Sequence, residues 1–147
     1  ALACDVVYAA EDLKIGSPFG RIGAVLDSGG HWFFVARLGA HRALELIYSG
    51  RLLSGSEAAQ WGLVNACVPK AELVEKVRAL ASTVAKGPTA AFMESKRIVK
   101  MLGEEGLGLA DVLNLEARAQ GAAGRTGDYR EGISAFQQKR APKFSGR

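Results

Sequence analysis

Phe19-Gly20-Arg21-Ile22-Gly23-Ala24-Val25-Leu26-Asp27-Ser28-Gly29-Gly30-His31-Trp32 is the stretch on which the reading of this chain turns. Here a carboxylate, Asp27, stands between an apolar run and a pair of glycines that opens a helix. Asp27 or Ser28 is placed to cap that helix by accepting from its unpaired first-turn N–H groups. The same position suits a proton acceptor. A helix N-terminus favours the charged carboxylate, while desolvation by Val25, Leu26 and Trp32 opposes it. A carboxylate held between those effects can take a proton near neutral pH. His31 is a second acid/base candidate, although a lone histidine in a first helical turn is more often structural. Trp32, Phe33 and Phe34 cannot all hide on one helix face, so they read either as core or as the lining of an apolar pocket.

Outward from this stretch, strands precede and helices follow. Asp5 to Ala9 reads as a short buried strand and Leu13 to Gly16 as a second. Helix then runs to Gly39 and again from His41 to Ser49, with Gly50 as its stop. Ser54-Gly55-Ser56-Glu57 opens a short helix that Gly62 closes, and Leu63 to Val68 reads as a strand ended by Pro69. Ala71 to Lys86 has the clearest helical period, with Leu73, Val74, Val77, Leu80, Ala81 and Val84 on one stripe. Helices are predicted over Thr89–Leu102 and from about Leu109 to Ala122, separated by a turn at Gly103 to Gly108. Asp128 is predicted to cap a last helix carrying Ile133 and Phe136. The chain is therefore α/β, with residues 1–69 mixed and residues 70–147 helical.

Composition narrows the class. The chain has 147 residues, 48% of them hydrophobic and 23% charged, which suits an ordinary globular protein with a sizeable core. No apolar run approaches the roughly 20 residues needed to cross a bilayer, and no signal peptide is read at the start. Cys4 and Cys67 lack metal or redox spacing and are expected to be buried free thiols, favouring a cytoplasmic setting. No P-loop, nucleophile elbow or zinc pattern occurs, and Gly20 to Gly23 is too brief for a dinucleotide fingerprint. A net charge of +4 permits an anionic partner. Much of the surplus lies in the tail from Lys139 to Arg147, which reads as solvated. Without an aromatic platform, nucleic-acid binding is not expected. The chain opens in mid-element at Ala1, as a piece of a longer one would.

Three ordered motifs then carry a resemblance. Cys4-Asp5-Val6-Val7-Tyr8-Ala9 followed by Ile22-Gly23 and Asp27-Ser28-Gly29-Gly30 resembles the middle of the enoyl-CoA hydratase/isomerase (crotonase) family. Leu52 to Val64 is similar to that family's segment closing the active-site region. Asp128 to Phe144 resembles its C-terminal helix. The resemblance implies the C-terminal part of a crotonase-like ββα spiral ending in a helical trimerisation region, assembled as a homotrimer or hexamer. It implies an acyl-CoA substrate, with coenzyme A entering as part of the thioester and no resident cofactor or metal. The N-terminal portion of the same enzyme would supply the backbone donors of the oxyanion hole, typically the largest catalytic term. Without that portion the segment is expected to be inactive.

The resemblance also assigns residues. One glutamate of the family's hydratases falls before Ala1 and the other matches Phe19, which cannot move protons. Asp27 matches a position where certain double-bond isomerases carry a catalytic aspartate, and the motifs look most like the ring-epoxide isomerase type acting on phenylacetyl-CoA. Isomerisation is thus favoured over hydration of a 2-enoyl-CoA. Phe19, Leu26, Trp32 and Phe33 fall where the substrate pocket is lined. Lys139 matches a lysine reaching the CoA nucleotide of a neighbouring subunit, and equally suits the negative end of a helix. A family aromatic near the CoA is Gln120 here. A non-catalytic assembly module remains the reading from a different class.

Overall fold

The computed structural model describes residues Ala1–Arg147, which divide into two compact units, Ala1–Val77 and Arg78–Arg147. In the first unit β1 (Tyr8–Ala10) pairs in parallel with β4 (Ala66–Val68), so that Ala9 lies opposite Cys67. β2 (Lys14–Gly16) pairs antiparallel with β3 (Leu52–Ser54), Ile15 opposite Leu53. A 3₁₀ turn over Pro18–Ile22 follows β2, and α1 spans Gly30–Ser49. α1 breaks at Gly39, where φ 71° and ψ 166° leave the helix, in agreement with two helical runs on either side of that glycine.

Between β3 and β4 lies α2 (Gly55–Gln60), whose start is fixed by a capping box. Ser54 Oγ accepts from the Glu57 N–H at 3.2 Å while Glu57 accepts from the Ser54 N–H at 2.8 Å. Gly55 is required by close approach, since a Cβ there would lie 2.2 Å from the Ala10 carbonyl oxygen. Arg51 completes the corner. It pairs with Glu57 at 3.0 Å and lies over the Trp61 ring, 4.7 Å from the centroid, with Arg42 5.3 Å from the same ring. Phe34, Ala43 and Leu46 from α1 then meet Ala9, Leu53, Ala58, Leu63 and Val64 in one buried cluster. At roughly 1.5–3 kcal/mol for each large aliphatic side chain removed from water, this cluster is the main source of cohesion in the unit.

The predicted strand over Leu63–Val68 is half that length. Leu63 and Val64 are buried, but their N–H groups donate to the Ala58 carbonyl at 2.9 and 3.3 Å, folding them under α2 before β4 begins. Their apolar character served packing rather than a ladder. The first strand likewise starts only at Tyr8, because Val7 pairs its N–H with the Asn65 side chain at 2.8 Å instead.

α3 (Leu73–Ala85) carries the division between the units and buries none of its residues, although its apolar stripe is the most regular in the sequence. In the second unit α4 (Thr89–Glu105) and α5 (Leu109–Ala123) pack as a helical hairpin around a three-residue connection at 106–108. α4 runs through Gly103, which the sequence had placed in the turn. α6 (Gly127–Gln137) is capped by Thr126, whose Oγ1 accepts from the Tyr129 N–H at 3.1 Å. Asp128, the expected cap, instead accepts from the Ser145 and Gly146 N–H groups of the tail. No helix is long and apolar enough to cross a membrane.

Candidate active site

Residues 26–33 form a turn and the first turn of α1. The Gly30 N–H donates to the Asp27 carbonyl at 2.8 Å, and both residues between them, Ser28 at φ 52° and Gly29 at φ 75°, are left-handed. This is the dihedral pattern of a type I′ turn. For Ser28 it costs about 1–2 kcal/mol, since its Cβ crowds the following carbonyl. The turn throws the Asp27 side chain outward. The helix is capped by the backbone of Gly29, with no side-chain hydrogen bond, so neither Asp27 nor Ser28 caps it. The physical reason is the pair of left-handed residues, which turns the two side chains away from the first-turn N–H groups.

Asp27 is accordingly exposed, and no hydrogen bond or ion pair engages its carboxylate. The apolar enclosure expected around it is also absent in this chain, since Val25 is 77% and Trp32 54% exposed. Leu26 and Phe33 are the half-buried members of the group. Leu26 lies over Gly30, where a Cβ would come within 2.7 Å of its side chain, and Phe33 lies against Gly29. Trp32 and Phe33 meet edge to face at 5.3 Å. The three consecutive aromatics divide as helical geometry requires: Phe34 enters the core, Phe33 is half-buried and Trp32 faces outward.

Leu26, Trp32 and Phe33 are thus gathered around the turn that presents Asp27. Phe19 is half-buried in the 3₁₀ turn, and its carbonyl accepts from the Ala24 N–H at 3.1 Å, tying the two ends of the loop before Asp27. His31 is exposed and its imidazole makes no hydrogen bond with a neighbour. No group of three or more His, Cys, Asp or Glu side chains is assembled as a metal site. The cysteines depart from expectation, Cys4 being exposed and Cys67 half-buried, although both are free thiols. Short β1 leaves Cys4 ahead of the ladder, in a turn where its N–H donates to the Ala1 carbonyl.

Lys139 lies in the second unit. It follows the Gln138 C-cap at φ 53°, exposed, with no hydrogen bond or ion pair on its ammonium. The tail beyond it is folded back, contrary to the solvated tail expected. Glu131 accepts two bonds from the Arg140 guanidinium, at 2.6 and 2.8 Å, and one from the Lys143 N–H at 2.8 Å. Those donors hold the Glu131 carboxyl at about 2, Arg140 contributing most. Asp128 is 3% exposed and accepts from the Ser145 N–H at 2.7 Å and the Gly146 N–H at 2.8 Å. These bonds, the one from Ser145 first, hold its carboxyl below the usual aspartate range. Phe144 lies against Gly132 and helps line an apolar cavity of about 210 Å³ with Pro88, Ala91, Tyr129 and Ile133. Asp128 stands at a helix start and so has the look of a cap, whereas its spacing of three from Glu131, on one helix face, is the sequence signal for the tail contact. Gln120 lines a wider groove along α4 and α5 of about 490 Å³, beside Glu94, Ser95 and Glu116.

Comparison with known proteins agrees with the resemblance. Residues 1–147 match the sequence model of a family described as enoyl-CoA hydratase/isomerase. A Rhodobacter capsulatus protein named "Probable enoyl-CoA hydratase" is 40% identical over 149 residues, covering 100% of this chain and 56% of that protein. The 1,2-epoxyphenylacetyl-CoA isomerase of Escherichia coli is 36% identical over 147 residues, covering 100% of this chain and 55% of that enzyme. The crystal structure of an enoyl-CoA hydratase from Bacillus anthracis superposes with a TM-score of 0.90 at 33% identity, over 99% of this chain and 56% of that one. The chain therefore spans little more than half the length of the curated relatives it matches.

Proposed function

This chain belongs to the enoyl-CoA hydratase/isomerase family, and from that premise we propose that it is part of an acyl-CoA isomerase in which Asp27 carries the proton. The substrate is a coenzyme A thioester, and no resident cofactor is needed. Asp27 would remove a proton from the acyl chain and return it at another carbon, while an oxyanion hole outside this chain holds the thioester enolate. Leu26, Trp32, Phe33 and Phe19 would line the acyl pocket. Lys139 would offer its ammonium to the phosphates of the CoA nucleotide, in a neighbouring subunit of a homotrimer or hexamer.

One observation carries this reading: Asp27 is free of the capping duty that its position in the sequence suggested. A carboxylate held on a strained turn, with no structural partner, is available for chemistry. Phe19 adds to it, because a phenyl ring cannot deliver or activate water. Hydration of a 2-enoyl-CoA is the second reading, favoured by the names of relatives such as the Rhodobacter capsulatus and Bacillus anthracis proteins. The readings separate by following the atoms of water. With the full-length protein in H₂¹⁸O, a 3-enoyl-CoA and a 2-enoyl-CoA are offered separately: isomerisation shifts the double bond of the first to the 2-position and takes up no ¹⁸O from either. Rapid, stoichiometric ¹⁸O incorporation into a 3-hydroxyacyl product would establish hydration instead.

A further inference from the structure

Lys139 and Arg140 are adjacent cations with opposite fates. The Arg140 guanidinium is held on every nitrogen: Glu131 receives it twice, Gln138 Oε1 accepts from its Nε at 2.8 Å, and the Ala141 carbonyl accepts at 3.1 Å. The Lys139 ammonium is engaged by nothing. The backbone between them is a Schellman stop. The Lys139 N–H donates to the Phe136 carbonyl at 3.1 Å, and the Arg140 N–H donates to the Ala135 carbonyl at 3.0 Å. Such a stop places its left-handed residue at the position occupied by Lys139, where glycine is preferred. A lysine there is strained and persists only if its surroundings over-determine the conformation. They do so through two carboxylates. Glu131 grips Arg140 immediately after the strained residue and the Lys143 N–H three residues further on, and Asp128 then holds Ser145 and Gly146.

We infer that Glu131, through its fork with Arg140, is a positioning residue that fixes the direction of the Lys139 side chain before an anionic ligand arrives. The inference rests on the reading of Lys139 as the contact to the CoA nucleotide. What is fixed is the backbone at Lys139, and so the direction in which its side chain leaves the chain. A fixed backbone lowers the part of the ordering cost that the chain, as distinct from the mobile side chain, meets on binding.

The experiment measures the Kd of free coenzyme A by calorimetry, and kcat with KM for an acyl-CoA and for a thioester truncated before the nucleotide, in the full-length protein. Glu131→Gln is expected to weaken coenzyme A roughly fivefold, to raise KM for acyl-CoA to match, and to leave kcat and the truncated thioester unchanged, as loss of ground-state binding does. Arg140→Lys, which keeps the charge and removes the fork, should reproduce this and serves if Glu131→Gln does not fold. In a Lys139→Ala background neither change should weaken binding further, because the residue they position is gone. An unchanged Kd in Glu131→Gln and Arg140→Lys, while Lys139→Ala weakens binding, overturns the positioning role alone. Additive losses in the double variants overturn it equally. No effect of Lys139→Ala removes the nucleotide contact itself, and the inference with it.

Discussion

The two units differ in what they bury rather than in what they expose, for Ile22, Val25 and Tyr48 of the first are 77–81% exposed. The first gathers Phe34, Leu46, Leu53, Leu63 and their neighbours into one buried cluster. In the second, Ile98 and Ala135 are the buried hydrophobic residues, while Leu109, Val99, Met93 and Phe136 are 67–85% exposed. Both units contain amphipathic helices, so periodicity alone does not distinguish them. The difference lies in whether another layer covers the stripe. The first unit has two short sheets and α2 to set against α1, and the second has helices whose faces outrun their partners. An unmatched apolar face suits contact with other protein surface, which is the role the proposed homotrimer or hexamer gives the second unit.

The largest expected effect falls in the first unit. Leu46 is fully buried in α1, and Leu46→Ala should cost about 2–5 kcal/mol in chemical denaturation, through lost burial and the cavity left behind. Val99→Ala, on an exposed face, should change the stability of the isolated chain by less than about 0.5 kcal/mol. Equal costs would erase the contrast. Next is Phe136→Asp, at a side chain 85% exposed. In sedimentation of the full-length protein it should weaken self-association by about 2 kcal/mol or more, as charging the centre of an apolar contact does. An unchanged oligomer would remove Phe136 from any interface.

A smaller effect, of opposite sign, is expected at Lys139. Lys139→Gly relieves a left-handed lysine and should stabilise the helix stop by about 1 kcal/mol, while weakening coenzyme A. The smallest is local and concerns pH. The Glu131 carboxyl is held at about 2 against an ordinary 4.5. Its contribution is therefore complete above 4.5 and is lost as pH falls through about 2. The Lys143 amide proton, followed by NMR, should lose its hydrogen-bonded shift with that low midpoint. A midpoint near 4.5 would show that the tail is not held by Glu131.

Much of this contrast could be read from residues. Glycines at 39, 50 and 62 mark helix ends as expected, and Ser54 to Glu57 forms a capping box because hydroxyl and carboxylate stand three residues apart. What escaped were long-range duties. Leu63 and Val64 look like strand residues because they are apolar, but only tertiary folding sends their N–H groups to Ala58. Asp128 looks like a cap because it begins a helix, yet its partners are 17 and 18 residues away. At the site, apolar neighbours in sequence suggested an enclosed Asp27, whereas burial depends on what packs across from them. Ser28 gave no local sign of a left-handed backbone. The left-handed pair it forms with Gly29 separates a capping aspartate from a free one.

The most direct test of the account is Asp27→Asn in the full-length protein, assayed for isomerisation of an enoyl-CoA together with coenzyme A affinity. The substitution keeps size and polarity and removes the capacity to take a proton. Turnover should fall by roughly 10²–10⁴-fold, the usual contribution of a general base, while coenzyme A binds as before. Turnover within about twofold of the unsubstituted protein would contradict the account, for then the proton is carried by another group.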